Sequence, residues 1–283
     1  MALRARAESE NVSPTAYATG YFWYRHGLSH QGLLIPEAEK HERRFRGLIR
    51  IIRVLTGVSL DALMLARHKG IDALLARDIE SGKVTQVIEL AAGLSPRGWR
   101  FKQRYGAKIT YIETDLPHMA QLKQQRLADS GLLTPGHRVE AVNVLVDSGA
   151  GSLFELTRGL DHKAGVAVIT EGLLSYLDPD AAKAVWHRIA VALREFPTGV
   201  YLSDAYLRQD RYGFAMRLFR GAIQRFVQGR MHVHFQAPDD ATRLLHAAGF
   251  RQVTLHETAH IAETRELSQT PGGDRVRVLE ART

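Results

Sequence analysis

The amino-acid sequence predicts an α/β protein of the doubly wound type, with a mostly parallel sheet covered by helices on both faces. Short β-branched and aliphatic runs alternate with segments of helical apolar spacing between Val84 and Ser203. Several of these runs end in an acidic or amide residue, and the small-residue turn Ala91-Ala92-Gly93 follows the first run. Because the carboxyl ends of parallel strands meet at one edge of a sheet, these residues are expected to converge on a ligand.

The first predicted strand lies within Val84–Leu90 and carries Glu89 near its end. Gly93 can adopt the positive φ that the following turn often needs. The dinucleotide fingerprint Gly-x-Gly-x-x-Gly is incomplete, because Ala91 occupies the first glycine position and only Gly98 follows Gly93. A carboxylate at Glu89 suits a cationic or amine-bearing ligand better than a pyrophosphate. By itself the turn leaves open both a ligand-binding loop and an ordinary strand-to-helix connection.

The other predicted strands repeat this arrangement of an apolar run with a polar residue within it or at its end. They are a second strand from Ile109 with Glu113 and Asp115 at its end, a third at Val139–Leu145 containing Asn143, a fourth from Gly165 ending at Glu171, and a fifth at Thr198–Ser203 followed by Asp204. The last two strands, Phe250–His256 and Arg275–Glu280, are predicted to be antiparallel neighbours joined by a hairpin turn at Gly272-Gly273.

The helices are predicted from apolar periodicity and from capping residues. An amphipathic helix runs from about Glu37 to Gly57, and a second begins after the capping residue Ser59, with Gly70 as a possible break. Pro117 and Pro179 each suit the first turn of a helix.

The chain is predicted to comprise an N-terminal arm and helical cap over residues 1–58 and a ligand-binding domain over residues 59–283, with a helical lid inserted at about 207–235. Residues 17–24 contain an aromatic cluster, interpreted as a hydrophobic anchor for the arm in preference to part of a substrate pocket. The insertion is interpreted either as a surface helix or as a lid over the substrate.

Composition excludes several classes of protein. The 283 residues are 45% hydrophobic, enough for one large α/β domain or two small ones. The absence of cysteine excludes disulfides, thiolate nucleophiles and zinc–thiolate sites. Residues 1–14 lack the apolar core of a secretory signal, and no stretch approaches the ~20 apolar residues of a membrane span. We therefore expect a soluble cytoplasmic protein that does not engage a membrane.

The formal net charge of +8 raises the question of nucleic-acid binding. Arginines are scattered through the helical segments and are locally dense between Arg208 and Arg230. No recognition motif accompanies the charge, so a solvated basic surface is favoured and no nucleic-acid partner is expected.

Four segments together resemble the leucine carboxyl methyltransferase family, which includes the tetracenomycin-type polyketide O-methyltransferases among the class I S-adenosylmethionine-dependent enzymes. The segments are Ala66–Ile71, Glu89–Arg100, Glu113–Pro117 and Thr170–Leu177. This resemblance implies a seven-stranded Rossmann-like sheet and S-adenosylmethionine as the cofactor.

The resemblance also implies roles for individual residues. Arg67 would meet the methionine carboxylate of the cofactor or a substrate carboxylate, Gly93 would lie against the methionine part, and Glu171 would line the methyl-donor end. Asp115 would hold the ribose, with Glu113 as second choice. Asn143-Val144 replaces the Asp-Leu pair that contacts adenine. Two further departures are Ala91 in place of the usual glycine and Ser95-Pro96 in place of Asp-Thr.

The predicted activity is methylation of a carboxylate or hydroxyl oxygen of a small molecule, by an enzyme that can form a homodimer. A carboxylate acceptor is already ionised, whereas a hydroxyl benefits from a general base. His232, His234 and Tyr206 are the catalytic candidates, and no metal site is predicted because the two histidines lack an evident third ligand. The alternatives are a noncatalytic S-adenosylmethionine-binding protein, a nicotinamide-dependent oxidoreductase and a nucleic-acid modifier.

Overall fold

A seven-stranded sheet forms the centre of the structure, a computed structural model that describes residues 16–35, 57–208 and 231–283 and isolated positions between 43 and 54. The strand order is β3-β2-β1-β4-β5-β7-β6. The strands are β1 (Gln86–Leu90), β2 (Thr110–Asp115), β3 (His137–Ala141), β4 (Val166–Thr170), β5 (Gly199–Tyr206), β6 (Gln252–Glu257) and β7 (Val276–Arg282). Strands β1 to β5 are parallel, and β7 is antiparallel to both neighbours. The predicted seven-stranded, mostly parallel sheet is confirmed.

Helices cover both faces of this sheet. They are α1 (16–25), α2 (Leu60–Glu80), α3 (Arg97–Tyr105), α4 (Pro117–Asp129), α5 (Leu153–Arg158), α6 (Pro179–Leu193), α7 (Pro238–Ala248) and α8 (Arg265–Ser268). Apolar side chains of α5, α6 and α7 form one core with the sheet, and those of α2 and α3 form a second core on the opposite face. None of the helices in the described part of the chain is long and apolar enough to cross a bilayer.

Helix α2 begins as predicted but does not break at Gly70. The Ser59 hydroxyl accepts a hydrogen bond from the Ala62 N–H at 3.2 Å, which caps the helix. The helix then continues without interruption to Glu80. A Cβ on Gly70 would lie 2.6 Å from a methyl carbon of Val278, so this glycine allows α2 to pack closely against β7.

The connection between the last two strands also differs from the prediction. Strands β6 and β7 are antiparallel neighbours, as expected. However, two short 3₁₀ segments and α8 lie between them, so Gly272-Gly273 does not form a two-residue hairpin turn. A Cβ on Gly272 would lie 2.4 Å from the Ser59 carbonyl oxygen, and its φ is +116°. This turn therefore fits closely against the start of α2.

The N-terminal arm is anchored by aromatic side chains, as predicted. Phe22 and Trp23 of α1 are buried against Leu60, Leu63 and Met64 of α2. Most of the predicted 37–57 helix lies outside the described residues, although the described positions between 43 and 54 are helical. Residues 209–230 of the predicted lid also lie outside them. The proposed division at residue 58 therefore stays a prediction.

Candidate functional site

The glycine turn after β1 and the acid at the end of β2 are joined directly. Gly93 N–H donates a hydrogen bond of 2.7 Å to Oδ2 of Asp115, and Leu116 N–H donates one of 2.8 Å to Oδ1. Burial raises the pKa of Asp115, although both N–H groups oppose this shift. Each carboxylate oxygen keeps a second acceptor site for a ligand. Gly93 and Asp115 thus share one part of the rim, which we define as the carboxyl ends of β1, β2, β4 and β5.

Helix α1 lies over this turn. A Cβ on Gly20 would lie 2.9 Å from Cβ of Leu94, and a Cβ on Gly93 would lie 3.4 Å from Cβ of Ala16. Tyr17 and Tyr21 pack beside Leu94 in the same apolar cluster. The arm therefore covers the turn that follows β1.

Glu171 follows β4 and accepts hydrogen bonds from three side chains. Arg67 Nε donates to Oε1 at 2.8 Å, while His68 Nδ1 and Arg97 Nη2 lie 2.9 Å and 2.5 Å from Oε2. Since a carboxylate oxygen only accepts, Nδ1 of His68 carries a proton. Burial would raise the pKa of Glu171, but His68, Arg97 and Arg67 outweigh it and hold that pKa well below its usual range.

Arg67 extends this network towards β5. Its Nη1 donates to the Tyr206 hydroxyl at 3.4 Å and lies 3.7 Å from Oδ2 of Asp204. Oδ1 of Asp204 accepts the Gly172 N–H at 2.8 Å. Burial raises the pKa of Tyr206 and of Asp204, which leaves the Tyr206 phenol protonated near neutral pH.

Arg97, in the first turn of α3, bonds to carboxylates from three elements. Its Nε, Nη1 and Nη2 donate to Asp72 at 2.6 Å, Glu89 at 2.6 Å and Glu171 at 2.5 Å, respectively. Tyr111 donates to the second oxygen of Glu89 at 2.7 Å. Glu89 is only 1% exposed, so its carboxylate faces the protein interior and not the crevice.

Glu113 is likewise enclosed. Its carboxylate lies 2.7 Å from Lys123 Nζ and 3.6 Å from His137 Nε2, and all three side chains are at most 2% exposed. A Cβ on Gly98 would lie 2.0 Å from Oε1 of Glu113. The side chain is therefore held under α3, away from the rim.

Asn143 and Val144 lie in the loop after β3, because that strand ends earlier than predicted. The Asn143 side-chain oxygen accepts a hydrogen bond from the Leu145 N–H at 2.9 Å. The backbone N–H of Asn143 donates one to the Gly151 carbonyl oxygen at 2.8 Å. Val144 packs against the core of α5 and α6. Both residues follow the strand next to β2, beside Asp115.

The three catalytic candidates line one small pocket beside the end of β5. Tyr206, His232 and His234 contribute to its wall together with Asp204 and Leu174. His234 Nε2 lies 2.8 Å from the Leu174 carbonyl oxygen, so this nitrogen carries the proton and Nδ1 has a lone pair. Burial lowers the pKa of His234, which keeps the ring neutral near pH 7.

Several members of the network were not among the sequence candidates. His68 and Asp72 lie four residues apart on α2, and their helical spacing after Arg67 was an available signal. Arg97 could have been suspected as a cation in the helix turn after Glu89. The sequence predicts Asp204 at the end of the fifth strand, but nothing in it indicates the hydrogen bond of Asp204 with Tyr206.

Comparisons with known proteins identify the family of the chain. A family model described as leucine carboxyl methyltransferase matches residues 38–190. Proteins of Mycobacterium ulcerans and Mycolicibacterium smegmatis, both named "Putative S-adenosyl-L-methionine-dependent methyltransferase", are 32% and 34% identical over 126 and 143 residues. These alignments cover 41% and 47% of this chain, and the chain spans 40% and 45% of the relatives' lengths.

A solved structure has a similar fold. The structure of an O-methyltransferase family protein from Burkholderia thailandensis is 18% identical, with a TM-score of 0.51, over 76% of this chain and 55% of that one. At this identity the likeness concerns the fold, which is that of the class I methyltransferases. Since the family model extends over more than half of the sequence, the chain belongs to the leucine carboxyl methyltransferase family.

Proposed function

We propose that this protein binds S-adenosylmethionine at the rim and transfers its methyl group to an oxygen of a small molecule. The observation that carries the proposal is the meeting of family residues from distant parts of the chain. The backbone nitrogen of Gly93 lies 2.7 Å from Oδ2 of Asp115, and Nε of Arg67 lies 2.8 Å from Oε1 of Glu171. The sulfonium of the methyl donor supplies an activated methyl group, so the protein has chiefly to align the reactants and exclude water.

The amino-acid end of the methyl donor suits Arg67 and Glu171. Arg67 Nη2 makes no hydrogen bond to the described residues, so it can donate to the donor's carboxylate. Glu171 accepts three hydrogen bonds, and a carboxylate has about four acceptor sites. Its remaining site can accept a hydrogen bond from the α-ammonium group. The cationic Arg67 and the anionic Glu171 are thus complementary to the carboxylate and the ammonium group of the methyl donor.

The adenosine end suits the opposite part of the rim. Asp115 can accept hydrogen bonds from ribose hydroxyls through the acceptor sites that Gly93 and Leu116 leave. The Asn143 side-chain oxygen can accept one from the adenine amino group, while Val144 offers apolar contact. A nicotinamide dinucleotide is less suitable, because the turn after β1 keeps only Gly93 of the three glycines in the dinucleotide fingerprint, with Ala91 and Pro96 at the other two positions.

The small pocket beside β5 contains a histidine that can serve a hydroxyl acceptor. Nδ1 of neutral His234 can take the acceptor's proton, while Tyr206, whose hydroxyl is hydrogen-bonded to Asp204, forms part of the adjoining wall. We therefore favour a phenol or alcohol over a carboxylate, with His232 as a further wall residue. The homodimer and the cytoplasmic location stay predictions.

Calorimetry of cofactor binding tests this proposal. The wild-type protein should bind both S-adenosylmethionine and its demethylated product, S-adenosylhomocysteine. Asp115→Ala should weaken the binding of both ligands by about 1–3 kcal/mol, because the ribose hydroxyls and the Gly93 N–H lose their hydrogen-bond acceptor. Asp129→Ala, at an exposed position on α4, is the matched control and should bind like the wild type. Absence of wild-type binding, or full affinity in Asp115→Ala, would contradict the proposal.

Transfer to an acceptor is tested separately with radiolabelled methyl donor. A panel of phenols and alcohols should include compounds that gain label, whereas the matching carboxylates should not. Cofactor binding without labelling of any compound would favour the noncatalytic alternative. Labelling confined to carboxylates would contradict the assignment of His234 as a base.

A further inference from the structure

Arg97 is completely enclosed, whereas its neighbours at the rim are not. The Arg97 side chain is 0% exposed, while the side chains of Glu171 and Arg67 keep 8% and 14% of their surface. A ligand that enters the crevice from solvent therefore reaches Glu171 and Arg67. It does not touch Arg97, which lies behind Glu171.

The three carboxylates that Arg97 binds belong to separate elements. Asp72 is part of α2, Glu89 is part of β1, and Glu171 directly follows β4. The planar guanidinium directs its donors in fixed directions, so one side chain fixes three acids relative to one another. A lysine could retain the charge but could not reproduce this geometry.

The two oxygens of Glu171 have different surroundings. Oε2 is held by Arg97 and by Nδ1 of His68, whose ring is 0% exposed and is covered by Trp23 at a centroid distance of 4.2 Å. Among the residues that the structure describes, Oε1 accepts only from Arg67. The free acceptor site of the carboxylate is therefore on Oε1, the oxygen that Arg67 contacts at the rim.

We infer that Arg97 is a positioning residue for recognition of the methyl donor. It holds Glu171 ionised, with Oε2 tied down and Oε1 directed to the α-ammonium group. This inference rests on the proposed function, since it assigns how the same site recognises the amino-acid end of S-adenosylmethionine. The adenosine end does not depend on Arg97.

The charges around Glu171 give this inference a measurable pH dependence. The titratable and charged groups that face it are Arg67, His68 and Asp72 of α2, Arg97 and Arg100 of α3, Glu89 of β1, and Asp204 and Tyr206 of β5. Arg97 is one of the groups that lower the pKa of Glu171, so a side chain at this position that no longer reaches Oε2 raises that pKa relative to the wild type. Protonation then removes the negative charge that attracts the ammonium group as the pH falls.

The experiment compares two probes in the wild type and in Arg97→Lys. S-adenosylmethionine carries the amino-acid part, and 5′-methylthioadenosine carries only the adenosine half with its thioether. In the wild type the ratio of the two affinities should stay constant between about pH 5 and pH 7. In Arg97→Lys the S-adenosylmethionine affinity should fall by up to about tenfold per pH unit below the new pKa of Glu171. The 5′-methylthioadenosine affinity should be unchanged.

The outcomes separate this inference from the proposed function. If the wild type binds neither probe, the proposed function fails and the inference fails with it. If the wild type binds both probes, two results would overturn only the role of Arg97. One is an equal loss of affinity for both probes in Arg97→Lys, and the other is an unchanged affinity for S-adenosylmethionine at all pH values. Should Arg97→Lys not fold, the wild-type ratio decides, because a steady fall towards about pH 5 means that Glu171 is not held ionised.

Discussion

Ala91 has a backbone conformation that favours glycine. Its φ is +52°, and it is the only non-glycine residue with positive φ in the described parts of the chain. A left-handed conformation costs an L-residue about 1–2 kcal/mol, whereas glycine adds about 0.5–1 kcal/mol of unfolded-state entropy to the cost of folding. Ala91→Gly should therefore increase the free energy of unfolding by about 0.5–1 kcal/mol in urea titration.

Ala92→Gly is the matched control for that substitution. Ala92 is buried beside the same turn and has no positive φ, so glycine there should lower the free energy of unfolding. Equal destabilisation by the two substitutions would show that the Ala91 backbone is not strained.

Gly98 and Glu113 fit together so closely that neither position tolerates a larger side chain. Glu113 is held by Lys123 and His137, and a methyl group on Gly98 would lie 2.0 Å from its Oε1. Gly98→Ala should destabilise the protein by about 1–3 kcal/mol through overpacking. Gly159→Ala, whose methyl group would meet nothing closer than 3.5 Å, should change stability far less in the same denaturation experiment. Similar values for both variants would contradict the packing described.

At the scale of elements, α2 supplies the amino-acid end of the site through Arg67 and His68. Arg67→Ala should weaken the binding of S-adenosylmethionine by about 1.5–3 kcal/mol, because a charge-assisted hydrogen bond to the carboxylate of the methyl donor is lost. Binding of 5′-methylthioadenosine should be unaffected. Arg77→Ala removes an arginine two to three turns further along α2, where it pairs with Glu280, and should leave both affinities unchanged in calorimetry. Full affinity of Arg67→Ala for S-adenosylmethionine would exclude this role.

The strand ends could be predicted from sequence, but the direction of their side chains could not. Asp115 and Glu171 lie at or beyond the last residue of their strands and reach the rim. Glu89 and Glu113 are register partners one and two residues before their strands end. Side chains at those positions still face the helix layer, so they lie under the first turn of α3. The difference depends on where each strand ends, which apolar patterning does not resolve.

Close packing between distant segments accounts for the two corrected elements. A glycine within a helical pattern usually weakens a helix, but Gly70 is required where α2 meets Val278. Gly272-Gly273 is typical of a hairpin, yet Gly272 fits against Ser59 at the start of α2. Each partner lies some 200 residues away in the sequence, so local patterns could not reveal it.

At the scale of the whole molecule, charged side chains on α2, β6 and β7 link the first and last parts of the domain. Glu280 accepts hydrogen bonds from Arg77 at 2.8 Å, Arg282 at 2.7 Å and His256 at 2.7 Å. Burial would raise the pKa of Glu280, but these partners outweigh it and lower that pKa to about 2. The unfolded chain has the ordinary glutamate pKa of about 4.3.

Acid should therefore remove this stabilisation. A depressed carboxyl pKa stabilises the folded state fully above the unfolded pKa, and the effect is lost as the pH falls from about 4.3 towards about 2. Glu280→Gln should lower the free energy of unfolding by about 1–2 kcal/mol at neutral pH, after allowance for solvent screening. In urea titrations at decreasing pH, wild type and variant should converge. Glu263→Gln, at an exposed position, should show no such convergence, and a constant gap for Glu280→Gln would contradict the linkage.

The most direct test of the proposed site is a crystal structure with S-adenosylhomocysteine. The amino-acid end of the ligand should lie between Arg67 and Glu171, with the ribose against Asp115 and the sulfur facing the pocket of Tyr206 and His234. Arg97 should remain behind Glu171 without touching the ligand. Electron density for the ligand elsewhere on the protein, or a ribose bound without Asp115, would contradict the account.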